Sequence, residues 1–150
     1  MADRLQAAVR ALPPGWVLDP AVPEVLIRLR RLGLRLLVVS NWDGDLAERL
    51  TELGLAQHFD HIADSTVVGV RKPDPRILAE ACDRVGVAVG ECLHVGDRPE
   101  TDVAAARAAG ARPLLYDPID AWAGGSVARV RRLLDVLAYV MPTAARAVDQ

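Results

Sequence analysis

The sequence has no excess of basic charge, no metal-finger spacing, no run long enough to cross a bilayer and no internal repeat. Its 18 Lys and Arg are outnumbered by 20 Asp and Glu, for a formal net charge of −2. Nucleic acid or an anionic lipid surface would find no electrostatic hold on such a chain. The arginines are scattered or sit on helix faces, as Arg28, Arg30 and Arg31 do. Cys82 and Cys92 form no C-x-x-C, and His58, His61 and His94 form no zinc pattern. Free thiols suit a reducing compartment. Asp3, Arg4 and Arg10 interrupt the N-terminal segment, so no signal peptide is read there, and no apolar run approaches a membrane span. The expectation is a cytoplasmic protein with neither nucleic acid nor membrane as partner.

What is present is a chain of 150 residues with 51% hydrophobic content, enough for one domain with a real core. Periodicity predicts helices over 2–12 and 20–32, the second with Val22, Val25, Leu26, Leu29 and Leu32 on one face and Gly33 as its stop. Residues 34–39 read as a buried strand, 45–53 as a helix capped by Asp43 or Asp45, and 61–63 as a short strand. In Lys72-Pro73-Asp74-Pro75, Asp74 is placed as an N-cap and Pro75 as the first helical residue of a helix to Val85. Residues 91–95 follow as a strand, with Cys92 as inert core, then 101–109 as a helix and 113–116 as a last strand. Pro113 puts that strand at an edge. Residues 117–126 read as a linker to a final helix over 127–139. Trp16, Trp42 and Trp122 are taken as packing residues. Strands alternating with helices imply a Rossmann-like α/β fold, a parallel sheet with helices on both faces and ligands at the carboxyl ends of its strands.

Polar groups gather at that rim. Ser40 and Asn41 follow the first clear strand, Asp97 follows Val95-Gly96, Asp102 opens a helix, and Lys72 sits in a loop before another. A hydroxyl and the amides of the Ser40–Asp43 turn can bond phosphate oxygens, an ammonium can neutralise them, and two carboxylates can hold a hard cation such as Mg²⁺.

SNWDGDL, VGVRKPDPRIL and HVGDRPETDVAAARAAG together resemble the second, third and fourth motifs of the haloacid dehalogenase-like (HAD) hydrolase superfamily. S-N-W-D, G-x-x-K-P-D-P and the A-x-x-A-G after the fourth motif resemble its helical-cap, phosphatase-like branch. The resemblance covers roughly residues 17 to 116. It implies that Ser40 and the Asn41 backbone bind the transferring phosphoryl group, that Lys72 stabilises its charge, and that Asp97 with Asp102 anchors Mg²⁺. It also implies a phosphorylated small-molecule substrate and a covalent aspartyl-phosphate, formed by an aspartate two residues ahead of a second acid.

Those two acids belong to the family's first motif, D-x-D-x-T, which the sequence does not contain. Asn41-Trp42-Asp43-Gly44 imitates it, but its amide is no nucleophile, and a helix and short strand before Lys72 give it the place of the second motif. Val17-Leu18-Asp19 runs into Pro20 and has Ala21 where the second acid should be. The expectation is therefore a HAD-like core lacking its first, central strand and most of its cap, with residues 1–20 as a remnant of the last cap helix, and inactive alone. Three readings stay open: part of a longer hydrolase, a pseudoenzyme or binding module that keeps a phosphate and Mg²⁺ site, or a chain completed by a homo-oligomer or complementing partner that fills the sheet.

Overall fold

The structure, a computed structural model, describes residues 17–141; the expected helix over 2–12 and Trp16 lie outside the described residues. Helix α1, Val22–Arg31, buries Val25, Leu26 and Leu29 along one stripe. The Asp19 carboxylate accepts the Ala21 N–H at 2.8 Å just ahead of it, and Pro23 falls in the first turn, where its missing N–H costs nothing. Gly33, at φ 77°, ends the helix in a conformation only glycine adopts freely.

Alternation then continues as expected: β1 (Leu37–Ser40), α2 (Leu46–Glu52), β2 (His61–Asp64), the short α3 (Ser65–Val68) and α4 (Arg76–Val85). β3 (Leu93–Gly96) leads through a π-helical turn, Pro99–Val103, into α5 (Ala104–Ala109) and β4 (Arg112–Tyr116). β5 (Arg129–Val130), a 3₁₀ turn over Leu133–Val136 and α6 (Leu137–Val140) close the described chain. Among the described residues no helix is long and apolar enough to cross a membrane.

Every strand pair is parallel, but the sheet comes in two pieces, β1–β2 and β3–β4–β5. No ladder joins β1 to β3 among the described residues. Helices hold the pieces together. On one face α1 packs its Val25, Leu26 and Leu29 with Leu36, Leu55 and the C-terminal Leu133, Leu134, Leu137 and Val140. On the other, Ile77 and Leu78 of α4 pack with Ala105 and Ala106 of α5 and reach Val39 of β1. All four residues of β1 and all four of β3 are only partly buried, whereas Leu114 and Leu115 of β4 are each 1% exposed.

Several local expectations need correction. The strand containing Pro113 is not an edge: β4 lies between β3 and β5. In the parallel ladder Arg112 donates towards β3, to the Cys92 carbonyl, and Leu115 donates towards β5, to the Ala128 carbonyl. Pro113 shares the Leu115 side, but β5 pairs only with Leu115 and Tyr116, so the missing N–H falls where the partner has not begun. The helix expected over 127–139 is instead β5, a 3₁₀ turn and one turn of α-helix. The outer edge of β4 captures its first residues, and Arg129 is held by Asp117 at 2.8 Å and Asp120 at 2.6 Å.

Residues 117–126 are accordingly less a linker than a braced loop. Asp117 is 2% exposed and accepts the Ala121 and Trp122 N–H groups as well as Arg129. Caps also differ. Pro75 occupies the boundary of α4, and Asp74 serves from one residue further out, accepting the Arg76 N–H at 3.0 Å. Asp45 makes no cap bond, and Asp43 is exposed; the donor groups of that turn go to Asp64, at the end of β2. Cys92 falls just before β3, with its sulfur 3.3 Å from Cys82. Burial and the neighbouring Cys92 thiol push the Cys82 thiol up to about 12, which keeps it protonated and inert.

Asp64 is the local keystone. It is 4% exposed and accepts the N–H groups of Gly44 (2.9 Å), Leu46 (3.2 Å) and Thr66 (2.9 Å), tying together the starts of α2 and α3. Asp64→Ala strands these donors, so urea denaturation should show a loss of about 2–3 kcal/mol; a loss under about 0.5 kcal/mol, the size of an ordinary surface substitution, would count against this role.

Candidate functional site

The site lies where the carboxyl ends of β1 and β3 meet. Ser40 is the last residue of β1. Beside it, Asn41 grips the Lys72 backbone at two points: its Nδ2 donates to the Lys72 carbonyl at 2.9 Å and its Oδ1 accepts the Lys72 N–H at 2.8 Å. This clamp fixes the loop at its cis Lys72–Pro73 bond and aims the side chain inward. Lys72 Nζ then donates to the Val39 carbonyl at 2.8 Å and to Asp102 Oδ1 at 2.6 Å.

Asp102 is placed by two features of its own segment. The π-helical turn, in which Asp102 and Val103 both donate to the Arg98 carbonyl, swings the residue towards the sheet; such turns commonly re-aim side chains at functional sites. Gly96 leaves room for it, since a Cβ there would lie 2.5 Å from Asp102 Oδ2. That close approach is the physical reason for glycine in G-D-x-x-x-x-D. Asp102 is 5% exposed, and its Oδ2 accepts the Arg98 N–H at 3.0 Å while Oδ1 lies 3.4 Å from His94 Nε2. Burial works to raise its carboxyl, but the hydrogen bonds from His94 and Lys72, the Lys72 charge and the Arg98 N–H outweigh it. The net effect holds Asp102 well below the usual carboxylate range.

Ser40, Asn41, Lys72 and Asp102 are thus brought together as the sequence suggests. Asp97 follows Gly96 directly but is exposed, on the loop that wraps Asp102. No group of three or more His, Cys, Asp or Glu able to hold a metal occurs among the described residues. Not all the turn amides are available either. Trp42 donates its N–H to Ser65 Oγ at 3.0 Å and Gly44 donates to Asp64, which leaves those of Asn41 and Asp43 as candidate phosphate donors.

Three contributors escape a motif reading. The Asn41 side chain is a clamp, where the sequence suggests only its backbone. Ser65 is buried and, with Thr66, donates its hydroxyl to the Trp42 carbonyl, fixing the turn after β1. His94 is a lone polar residue inside the otherwise apolar strand LHVG, and that isolation is the signal the sequence carries for it.

Because the folded Asp102 titrates below its unfolded value of ~3.9, its stabilisation is complete above that pH and is lost as pH falls towards the folded value. Asp102→Asn leaves the Lys72 ammonium, 10% exposed, without its counter-charge. It should therefore cost about 3 kcal/mol near neutral pH and flatten the acid limb of the stability curve below about pH 4. Urea denaturation across that range is the check, and an acid limb as steep as the parent's would remove Asp102 as its source.

Comparison with known proteins agrees with this geometry. Residues 2–110 match the family model described as haloacid dehalogenase-like hydrolase. The mouse haloacid dehalogenase-like hydrolase domain-containing protein 3 is 37% identical over 133 residues, 87% of this chain and 53% of that protein. A phosphoserine phosphatase of Thermus thermophilus is 43% identical over 103 residues, 68% of this chain and 41% of that protein. A HAD phosphatase from Thermococcus onnurineus superimposes with a TM-score of 0.77 at 27% identity, covering 81% of this chain and 57% of that one. The chain spans about half the length of the curated relatives it matches. A family match across most of the chain, on a parallel α/β sheet with serine, lysine and aspartate at its carboxyl rim, makes this chain a member of the haloacid dehalogenase-like hydrolase family.

Proposed function

We propose that the chain supplies the phosphate- and Mg²⁺-binding part of a phosphomonoester hydrolase and turns over no substrate by itself. The observation that carries this reading is the contact of Lys72 with Asp102 next to Ser40, which supports a cation beside a turn that would bind an anion at the carboxyl rim. Ser40 and the Asn41 N–H would bind the phosphoryl oxygens, and Lys72 would offset their charge. The donor set suits Mg²⁺ in kind: Asp97 and Asp102 are hard oxygen ligands, and Mg²⁺ commonly takes one or two carboxylates, with waters and substrate phosphate completing its shell. Bound there, Mg²⁺ would neutralise charge on the phosphoryl group. The phosphatase among the similar proteins supports the phosphomonoester class.

Lack of turnover follows from chemistry. The sequence has no D-x-D-x-T, and a covalent route needs a nucleophile and an acid where phosphorus is held. Positioning alone does not approach the ~10²¹ acceleration such hydrolysis demands.

Titration calorimetry with orthophosphate should detect Mg²⁺-assisted binding in the millimolar range, with no release of p-nitrophenol from its phosphate ester above background. Ser40→Ala should weaken phosphate binding about fivefold, the loss of ~1 kcal/mol from one hydrogen bond. Asp97→Asn should remove the Mg²⁺ dependence without lowering Tm, since Asp97 is exposed. Absence of any binding heat at millimolar phosphate would sink the proposal, as would ester hydrolysis by the chain alone.

A further inference from the structure

We propose that Cys82 and Cys92 form a site of reversible oxidation, which closes to an intramolecular disulfide by exchange with a low-molecular-weight disulfide such as glutathione disulfide. The proposal is independent of phosphate binding. Cys82 lies in the second half of α4 and Cys92 directly ahead of β3, and their sulfurs are 3.3 Å apart. Packing brings them there: Cys92 rests on the cluster that contains Ile77 and Leu78 of α4. The fold has therefore already closed the chain between two cysteines ten positions apart. Most of the ordering that a disulfide demands is done before any bond forms.

The two thiols are unequal, and the inequality sets the order of attack. Cys82 is 4% exposed, and its protonated state denies it to reagents in solution. Cys92 is only partly buried. It follows the 3₁₀ turn Val89–Glu91, on a connection where Gly86, Ala88, Gly90 and Glu91 are exposed. The Cys92 thiolate attacks one sulfur of the small disulfide, forming a mixed disulfide and expelling one thiolate. Cys82 then attacks the Cys92 sulfur, and its proton passes to the second thiolate as that group leaves. Two protein thiols are oxidised and one small disulfide is reduced to two thiols. Burial still holds the Cys82 thiol up at that moment, but the next two causes, the hydrogen bond with Cys92 and its charge, are gone.

The product staples α4 to β3. Helix α4 starts just after the Lys72 loop, and β3 ends at Gly96, under Asp102. The staple thus joins the elements that deliver both partners of the rim contact, from the opposite end of the strand. Gly86 and Gly90 lie on the exposed connection, so the Cys92 side can shift to close the bond while the helix holds Cys82. A plain packing contact makes a different forecast: such a pair is no easier to oxidise folded than unfolded.

The test is equilibration of the 150-residue chain at fixed glutathione with graded glutathione disulfide, both folded and in urea, read by alkylation and tryptic mass spectrometry. Arg84 lies between the cysteines, so after trypsin only the disulfide joins their peptides. Half-oxidation should need about tenfold less glutathione disulfide in the folded chain than in urea, and dithiothreitol should reverse it. By linkage the oxidised chain should melt higher, by about 4 °C. In Cys82→Ala the mixed disulfide should accumulate on Cys92, whereas Cys92→Ala should stay unmodified. The titration of the unaltered chain is decisive even where a variant fails to fold. Four results would overturn the proposal: half-oxidation at the same disulfide content folded and in urea, a Tm lowered by oxidation, a disulfide formed between two chains, or a mixed disulfide carried by Cys82.

Discussion

The Lys72 ammonium, with its side chain only 10% exposed, lies where the end of β1 meets the carboxylate stacked over the end of β3, and it bonds to both. In a sheet with no ladder between these strands, that bond links the two halves at the functional rim through polar groups. The surrounding features exist to make it possible. Asn41 clamps the lysine's backbone, Gly96 makes room for Asp102, and the π-helical turn aims Asp102 at the cation. An ammonium with so little solvent is tolerable only because a carbonyl and an ionised carboxylate replace its water.

Away from the rim, apolar packing carries the joint. α4 bridges from Val39 on β1 to Ala105 and Ala106 on α5, and α1 covers the opposite side with the C-terminal leucines. Among the described residues the middle layer is incomplete by comparison. β1 and β3 are apolar but for Ser40 and His94, yet each of their residues keeps some exposure, unlike Leu114 and Leu115 in β4. The helical layers are those of a continuous sheet, while the strands between them are discontinuous. The residues of the rim are thus held in place on a framework whose central pairing is open among the described residues.

The alternation of elements was legible because its signals are local: periodic Val25, Leu26 and Leu29, a glycine stop at Gly33, and apolar runs of strand length. The order of Ser40, Lys72, Asp97 and Asp102 was legible for the same reason, since each sits at a recognisable junction. What could not be read depends on partners distant in sequence. Pro113 is a fair edge signal, and only the late start of β5 makes it harmless in an inner strand. Residues 129–130 look helical until the open side of β4 takes them. Asp64 caps a helix from the next strand, and Asn41 binds a loop 31 residues away, pairings that no local pattern encodes.

The most direct test of the Lys72–Asp102 link is a double-mutant cycle in urea denaturation, with Lys72→Met, Asp102→Asn and the pair. A polar link that joins the two half-sheets requires the double variant to be less damaged than the sum of the singles, with a coupling of about 2–3 kcal/mol. Additivity within about 0.5 kcal/mol would mean that packing alone joins the halves, and would contradict the account.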